Sequence, residues 1–492
     1  MGGIRMLKNQ ECHAPDVKQM LERSVSKYGG RPAFWVQKNG ETIHSHITYK
    51  KAYEDICALG TSMIEKGLRG KGIAIAGDNS YEWAVSFLAA LCVGTVIPLD
   101  TWFWIVSLKR FLNITDCRCV IFSEELQDTY WQIRNDGITG VETLVNMGRE
   151  KGRSDLFSLH EMIQEGKDVM ASGNRDFIES QIIQNEVCAM IITSDRKDGH
   201  KAVSLTHGNI AAEMRQLSEM LNISCDDVFF SRLPFHNAHE CICGILLPLI
   251  NGAAITCSEG FVYNVDVSAL QGYSLAETAS LAALDTENGL RLLPGMKAKI
   301  DRPDPETGIG EICLAGENIM SEYRKDPVAT ARALKDSWLF TGDMGRMDEN
   351  GLLHISGGKW TAITAENGQN VYPEELETML NRIPYVRESL VWGNKPVIGT
   401  IPVITATLLI DDEKTTEKLG VGYSEQDVFE LLWKEVEKIN ENLPEFKNIK
   451  RIVLRKNAFL KDSSQRILRW EYSNAPAPGT YYNAEKPGSK RN

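Results

Sequence analysis

The sequence predicts an α/β protein: a large N-terminal domain of parallel-rich sheets layered with helices, carrying a β-rich subdomain, and then a small α+β C-terminal domain. Three observations lead there. Strand, helix and strand patterns succeed one another at βαβ spacing through residues 73–99, which favours a parallel sheet. Short strand patterns separated by Gly, Asp and Asn turns fill 308–355. Beyond about Trp360, one amphipathic helix lies between two strand-like runs, a compact α+β unit.

Taken in order, Thr48 is placed to N-cap a helix whose apolar residues Tyr53, Ile56, Cys57, Met63 and Ile64 recur at helical spacing, with Gly67 as its C-cap. A strand is expected at 73–76. Asn79-Ser80 opens a second helix through Trp83, Phe87 and Leu91, and 94–99 forms the next strand. The apolar run 187–193 reads as a strand feeding a polar loop at 194–201, and α/β folds place ligands in loops at the carboxyl ends of strands. Ser424 caps a helix through Val428, Leu431, Leu432, Val436 and Ile439, flanked by strands at 404–410 and 449–454. The expected division is a large domain over 1–360, a small one over 361–473, and a loose tail over 474–492 containing Pro476, Pro478, Gly479 and Pro487.

Composition narrows the function classes. A chain of 492 residues exceeds one ordinary core, and 43% hydrophobic with 24% charged residues is a globular balance. The formal charge of -12 leaves no broad basic surface for a nucleic-acid backbone. The most apolar stretch, 241–257, is broken by Pro248 and Asn251 and is shorter than the roughly 20 residues of a bilayer span, so it reads as core. Residues 1–28 carry Glu11, Asp16 and Glu22 in place of a signal-peptide apolar run, and Met6 spoils a myristoylation motif. Eleven cysteines without a Cys-x-x-Cys pair suit a reducing cytoplasm. His236, His239, Cys241 and Cys243 could be imagined as zinc ligands, but one short segment with i, i+2 cysteines is not the favoured spacing.

A longer series of motifs carries a resemblance. Gly308-Ile309-Gly310-Glu311-Ile312, Gly316, 320–323, Lys325-Asp326-Pro327, Ala329-Thr330 and 338–345 follow one another as in the adenylate-forming superfamily, most like bacterial long-chain acyl-CoA ligases. Leu233-Pro234-Phe235-His236 with His239-Glu240-Cys241 resembles the family's Leu-Pro-x-His-His segment beside the acyl pocket; the alternative is a satisfied core histidine. Gly272-Tyr273-Ser274-Leu275-Ala276-Glu277 resembles Gly-Tyr-Gly-x-Thr-Glu, and Gly368, Val371, Pro373 and 374–377 resemble the start of a small C-terminal domain. The resemblance spans about Arg31 to Arg469.

It implies ATP, Mg2+ and coenzyme A as cofactors and co-substrates and a fatty acid as substrate. Asp343 of Thr341-Gly342-Asp343 would accept both ribose hydroxyls, which an ionised carboxylate can do; read alone, the tripeptide could be a β-turn. Tyr273 would stack on adenine, Glu277 would help hold magnesium, and Thr193, Ser194 and Lys201 would meet the phosphates. His236 would lie by the acyl group. The small domain would be mobile, its rotation separating two half-reactions.

Several positions depart from the pattern. The family's phosphate loop, Thr-Ser-Gly-Ser/Thr-Thr-Gly-x-Pro-Lys-Gly, becomes Thr193-Ser194-Asp195-Arg196-Lys197-Asp198-Gly199-His200-Lys201-Ala202. A carboxylate about 4 Å from a phosphate oxygen costs roughly 4 kcal/mol at an effective dielectric near 20, partly offset by Arg196, Lys197 and Lys201. Arg466 stands where the catalytic Lys of Pro-Lys-Thr-x-Ser-Gly-Lys-Ile-x-Arg belongs; it keeps the charge and loses the compact donor. The hinge reads Gly357-Gly358-Lys359-Trp360-Thr361, without its Arg, and Ala276 replaces Thr. The segment before Gly272 is much shortened, between about 258 and 271, so that much of the acyl and adenine pocket is expected to be missing and a sheet edge exposed unless it is paired again. Two readings stay open: an acyl-CoA ligase with impaired chemistry, or a non-catalytic scaffold kept as a binding module. A carrier-protein adenylation domain is a third.

Overall fold

The computed structural model describes residues 16–37, 44–101, 103, 105–148, 155–195, 199–257, 261–267, 270, 272–358, 363–364, 370–394, 403–461, 467, 469 and 483–485. The chain forms two compact units. The first is Met1–Lys299 with Cys313–Phe340 and Glu349–Leu353; the second is Ile300–Ile312, Thr341–Asp348 and His354–Asn492.

In the first unit, Gly72–Ala76 is flanked by parallel strands Thr95–Leu99 and Cys117–Phe122, and the sheet continues through Thr143–Asn146 to Phe157–Ser158. All five residues of Gly72–Ala76 are buried, as a strand covered on both faces requires. Of the expected helices, Tyr49–Glu65 precedes Gly72–Ala76 and Tyr81–Val93 connects it to Thr95–Leu99. Thr48 caps Tyr49–Glu65, Ser80 caps Tyr81–Val93, and each cap oxygen accepts a backbone N–H of the first turn. Gly67 follows the first helix with φ 72°, the left-handed conformation that favours glycine at a helix end. A further helix, Val17–Tyr28, has Lys18 on its buried face. The Lys18 ammonium donates to the carbonyls of Phe177, Ile178 and Ser180 at 2.7, 3.0 and 2.8 Å, tying this helix to the end of Asp176–Glu179.

The sheet's other side differs from expectation. The strand predicted over 187–193 extends to Asp195, and Gly199–Thr206 returns antiparallel to it, so the eight-residue polar loop is a hairpin joined through 196–198. Side-chain polarity made 194–201 look like a loop, but ladder pairing uses backbone groups and tolerates polar side chains at a hairpin end. Glu322–Tyr323 then pairs antiparallel with Gly199–Thr206.

A five-stranded sheet is built from Pro32–Gln37, His44–Thr48, Val228–Phe230, Ala254–Thr256 and Val265–Asp266. Its last member answers the question of the exposed edge: the short segment before Gly272 is paired again, Phe229 and Phe230 lying opposite Val265 and Asp266 in parallel. Gly272–Ser274, Leu281–Thr286 and Gly289–Leu292 form an antiparallel run in the β-rich region. Gly310–Ala315, Trp338–Met347 and Leu353–Gly358 are strands there too, with helix Pro327–Ala333 among them.

The second unit contains a sheet in which Val403–Ile410 lies antiparallel to Val386–Asn394 and parallel to Arg451–Arg455. Helices Pro373–Leu380 and Glu425–Glu441 pack on it through Leu376, Leu380, Phe429, Leu432 and Val436, the α+β unit expected, and Ser424 is the cap. Part of the predicted loose tail is ordered differently: Asn483–Glu485 pairs with Arg451–Arg455, adding an edge strand that its Pro- and Gly-rich surroundings concealed.

Candidate functional site

In the first unit the hairpin sets Thr193 opposite Lys201, Ser194 opposite His200 and Asp195 opposite Gly199. Backbone groups facing across the hairpin serve the ladder, so the open loop envisaged for phosphate contracts to its tip. Arg196, Lys197 and Asp198 lie outside the described residues.

Lys201 meets a residue to which the sequence reading gave no role. Its ammonium lies 4.8 Å from the ring centroid of Tyr323, and the Tyr323 hydroxyl donates to Glu277 Oε1 at 2.8 Å. Three distant segments supply these groups. Tyr323 is held opposite Val203 on the hairpin, its N–H donating to Thr330 Oγ1 at 3.0 Å. Glu277 sits in the single turn Ala276–Thr278, which ends on Ala279 in a left-handed conformation, φ 62°. The Met320 N–H donates to the Glu277 carbonyl at 2.8 Å, tying that turn to the segment leading into Tyr323. Of the predicted residues, Lys201 and Glu277 are therefore brought together, with Thr193 paired to Lys201 across the strands. Tyr323 lay within the quoted 320–323 motif, and that position was its only signal.

Tyr273 is buried, 5% exposed, on a strand with a register shift beside it. Stacking on adenine requires a face of its ring to be uncovered. Below this strand is a buried carboxylate absent from the sequence reading, Glu213. It accepts from the Leu281 N–H at 2.8 Å and from Asn318 Nδ2 at 2.7 Å, and burial pushes its carboxyl up to about 8 against the pull of those donors.

The two histidines part company. His239 is a satisfied core residue: Nε2 lies 3.4 Å from the Val267 carbonyl, so it carries the hydrogen, and Nδ1 accepts from Ser280 Oγ at 3.2 Å. His236 is the one without such partners. Its side chain is 7% exposed, neither ring nitrogen has a hydrogen-bond partner among the described residues, and Asp100 Oδ2 lies 3.6 Å from Nε2. Burial lowers its pKa, opposed by Asp100, so the ring favours its neutral form. Asp100 follows strand Thr95–Leu99, at the carboxyl end where α/β ligands gather. Asn79 fixes the approach to His236, its amide donating to the Leu233 carbonyl at 2.8 Å and accepting from the Phe235 N–H at 2.6 Å. Cys243 Sγ lies 3.3 Å from Ser280 Oγ and Cys241 Sγ reaches the Ala238 carbonyl, so the His/Cys cluster of the sequence does not converge on one point.

In the second unit Thr341-Gly342-Asp343 is part of strand Trp338–Met347 and not a β-turn; Gly342 takes φ 76° within it. Thr341 Oγ1 donates to the Ile312 carbonyl at 2.9 Å and accepts from the Asp343 N–H at 3.1 Å, while the Gly342 N–H donates to Glu311 Oε1 at 3.2 Å. Two motif segments, 308–312 and 341–343, thus brace each other around Asp343.

Arg466 lies outside the described residues, but its flanks are placed. Lys461 bridges antiparallel to Ile467 and pairs with Glu388 at 2.6 Å, and Ile467 packs on Leu390, Leu409 and Phe459. Arg469 forms an ion pair with Glu377, which also accepts from the Val391 N–H at 2.6 Å. Burial raises the Glu377 pKa, and Arg469 opposes that rise.

Two family matches cover most of the chain: AMP-binding enzyme over residues 21–270, and AMP-binding enzyme C-terminal domain over 361–471. The first alone takes in half the sequence. The chain belongs to the AMP-binding enzyme family. Among its relatives, a crotonobetaine/carnitine–CoA ligase of Salmonella agona is 21% identical over 519 residues, covering 90% of this chain and 98% of the relative. A long-chain-fatty-acid–CoA ligase of Gallus gallus is 21% identical over 524 residues, covering 80% of this chain and 68% of the relative. The fold is shared with an anthranilate CoA ligase in complex with anthranoyl-AMP, at TM-score 0.78 and 16% identity over 93% of this chain and 96% of that one. It is shared also with an o-succinylbenzoate CoA synthetase of Bacillus subtilis in complex with its acyl-adenylate, at TM-score 0.73 and 17% identity over 93% and 98%.

For an AMP-binding enzyme, the chemistry of this donor set fits its co-substrate and metal. Magnesium takes hard oxygen ligands, mostly water and phosphate with one or two carboxylates, and Glu277 is a half-buried carboxylate linked through Tyr323 to the cation Lys201. Bound there, the ion would neutralise phosphate charge. No helix among the described residues is long and apolar enough to cross a membrane.

Proposed function

We propose that this AMP-binding enzyme is an acid–thiol ligase: a carboxylate oxygen attacks the α-phosphorus of ATP with loss of pyrophosphate, and the thiol sulfur of coenzyme A then displaces AMP from the acyl carbon. The thiol proton leaves to solvent. The observation that carries this reading is the convergence of Lys201, Tyr323 and Glu277, a cation and a metal-compatible carboxylate drawn from three segments. Asp343 takes the ribose hydroxyls, Thr193 and Ser194 the phosphate side of the hairpin, and Tyr273 the adenine once its ring is uncovered. Arg466, between Lys461 and Ile467 in the sequence, supplies positive charge to the α-phosphate. His236, neutral and buried with Asp100, borders the acyl group. The acid is a fatty acid, in keeping with the motif at 233–241, and the compartment is the cytoplasm, in keeping with eleven cysteines that form no Cys-x-x-Cys pair in the sequence. The domain limits proposed are 1–360 and 361–473, the smaller moving between half-reactions.

The chemistry is slowed in this chain. Arg466 for Lys and the acids Asp195 and Asp198 each weaken transition-state stabilisation, and one lost electrostatic contact costs ~3 kcal/mol. The same substitutions support a second reading, a nucleotide- or acyl-binding module without catalysis. Incubation with ATP, Mg2+, hydroxylamine and a panel of fatty acids separates the two. Acyl-hydroxamate is the expected product, below the yield of a ligase with intact motifs; a thermal shift with ATP but no hydroxamate would establish the binding module, and neither signal would sink both.

A further inference from the structure

The chain around His236 is gripped from the carboxyl ends of two neighbouring parallel strands. Gly72–Ala76 pairs with Thr95–Leu99, Ala76 lying opposite Leu99; Asn79 comes shortly after the first strand and Asp100 directly after the second. The Asn79 amide donates to the Leu233 carbonyl at 2.8 Å and accepts from the Phe235 N–H at 2.6 Å. Leu233 precedes Pro234, which favours extended backbone and supplies no N–H of its own. One primary amide thus serves the carbonyl before the proline and the N–H after it, as a neighbouring strand would; a carboxylate could only accept there, and an ammonium could only donate. Directly beyond, the Asn237 N–H donates to the Pro234 carbonyl at 3.0 Å, closing a turn with Phe235 and His236 at its centre. The Phe235 ring is fully buried, its centroid 5.3 Å from that of Trp83, in the helix that Ser80 caps. The backbone that carries His236 is therefore fixed, while neither nitrogen of the His236 ring has a hydrogen-bond partner among the described residues.

We infer that Asn79 is a positioning residue for the acid: by clamping Leu233 and Phe235 it holds the turn that sets the His236 ring 3.6 Å from Asp100. The inference rests on the reading above in which His236 borders the acyl group. Asn79 and Ser80 were expected together to open a helix; Ser80 alone supplies the cap oxygen, and the Asn79 amide is committed to the turn. Without that amide the Leu233 carbonyl and the Phe235 N–H lose their shared partner, and the turn is free to shift its histidine.

The test is thermal stabilisation of the full chain by laurate or palmitate, titrated at saturating AMP so that no adenylation takes place and catalysis stays out of the readout. Asn79→Ala is expected to raise the acid concentration giving half of the stabilisation about 10-fold, as loss of two hydrogen bonds implies, and to leave the AMP midpoint measured without acid at its wild-type value. Asn79→Asp keeps the side-chain volume and the acceptor for Phe235 and loses the donor to Leu233; it should raise the same midpoint, and it carries the test if the alanine variant does not fold. His236→Ala should raise the acid midpoint as well, and Asn79→Ala added to it should contribute nothing further, because the amide acts through that ring. A wild-type acid midpoint in the Asn79 variants, equal rises in the acid and AMP midpoints, or additive effects in the double variant overturns the inference while the acid-binding reading survives. A wild-type chain that neither laurate nor palmitate stabilises overturns both.

Discussion

Glu213 shows how much one buried group can contribute to pH behaviour. Burial holds its carboxyl near 8, above the ordinary 4.5, so the folded chain binds that proton more tightly than the unfolded chain does. Its contribution to stability is therefore full below about pH 4.5, falls as pH rises toward about 8 and is flat beyond. Glu213→Gln removes the titration. Urea unfolding at a series of pH values should show the variant gaining on wild type from pH ~5 to ~8, by up to a few kcal/mol, and no further above that. A stability difference independent of pH would show that Glu213 is ionised in the fold. At this scale the sequence announced residues by their motifs, Asp343, Glu277 and Lys201 among them, while Glu213 and Asp100 stand in no motif. Their significance comes from burial, which depends on what the rest of the chain packs around them.

Among elements, local signals predicted helices well because a cap acts within one turn. Thr48, Ser80 and Ser424 each hold the backbone N–H three residues on. Strands were legible where alternation or burial marked them, and less so at Ser194-Asp195, whose polar character masked their pairing with His200 and Gly199 of the same hairpin, and at Asn483–Glu485, whose partner strand lies in another segment. Close helix packing was also hidden. A Cβ added at Gly166 would lie 1.8 Å from the Ala58 carbonyl oxygen, where helices Leu159–Ala171 and Tyr49–Glu65 meet. Gly166→Ala should force them apart and cost about 1–3 kcal/mol in chemical denaturation, with the unfolding slope unchanged. An effect within error would mean the backbone yields there freely.

For the whole molecule, the open quantity is how far altered charges limit adenylation. Arg466→Lys restores a compact donor at the position assigned to the α-phosphate. Hydroxamate formation should rise by about 10-fold or more if that geometry limits the reaction, since one well-placed electrostatic contact is worth ~3 kcal/mol. No gain would move the limit to Asp195, Asp198 or the shortened segment before Gly272. The sequence by itself determined the family, the α/β class and the identity of most charged groups, because motif order and periodicity are properties of a line of residues. Only the tertiary structure decided that the polar run after Val187 is a hairpin, that Val265–Asp266 pairs with Val228–Phe230 at the edge of the shortened sheet, that His239 is satisfied while His236 is not, and that Tyr323 touches both Lys201 and Glu277. The hairpin pairs adjoining runs of the chain, whereas the others depend on contacts between segments distant in sequence, and no local pattern encodes which of them will meet.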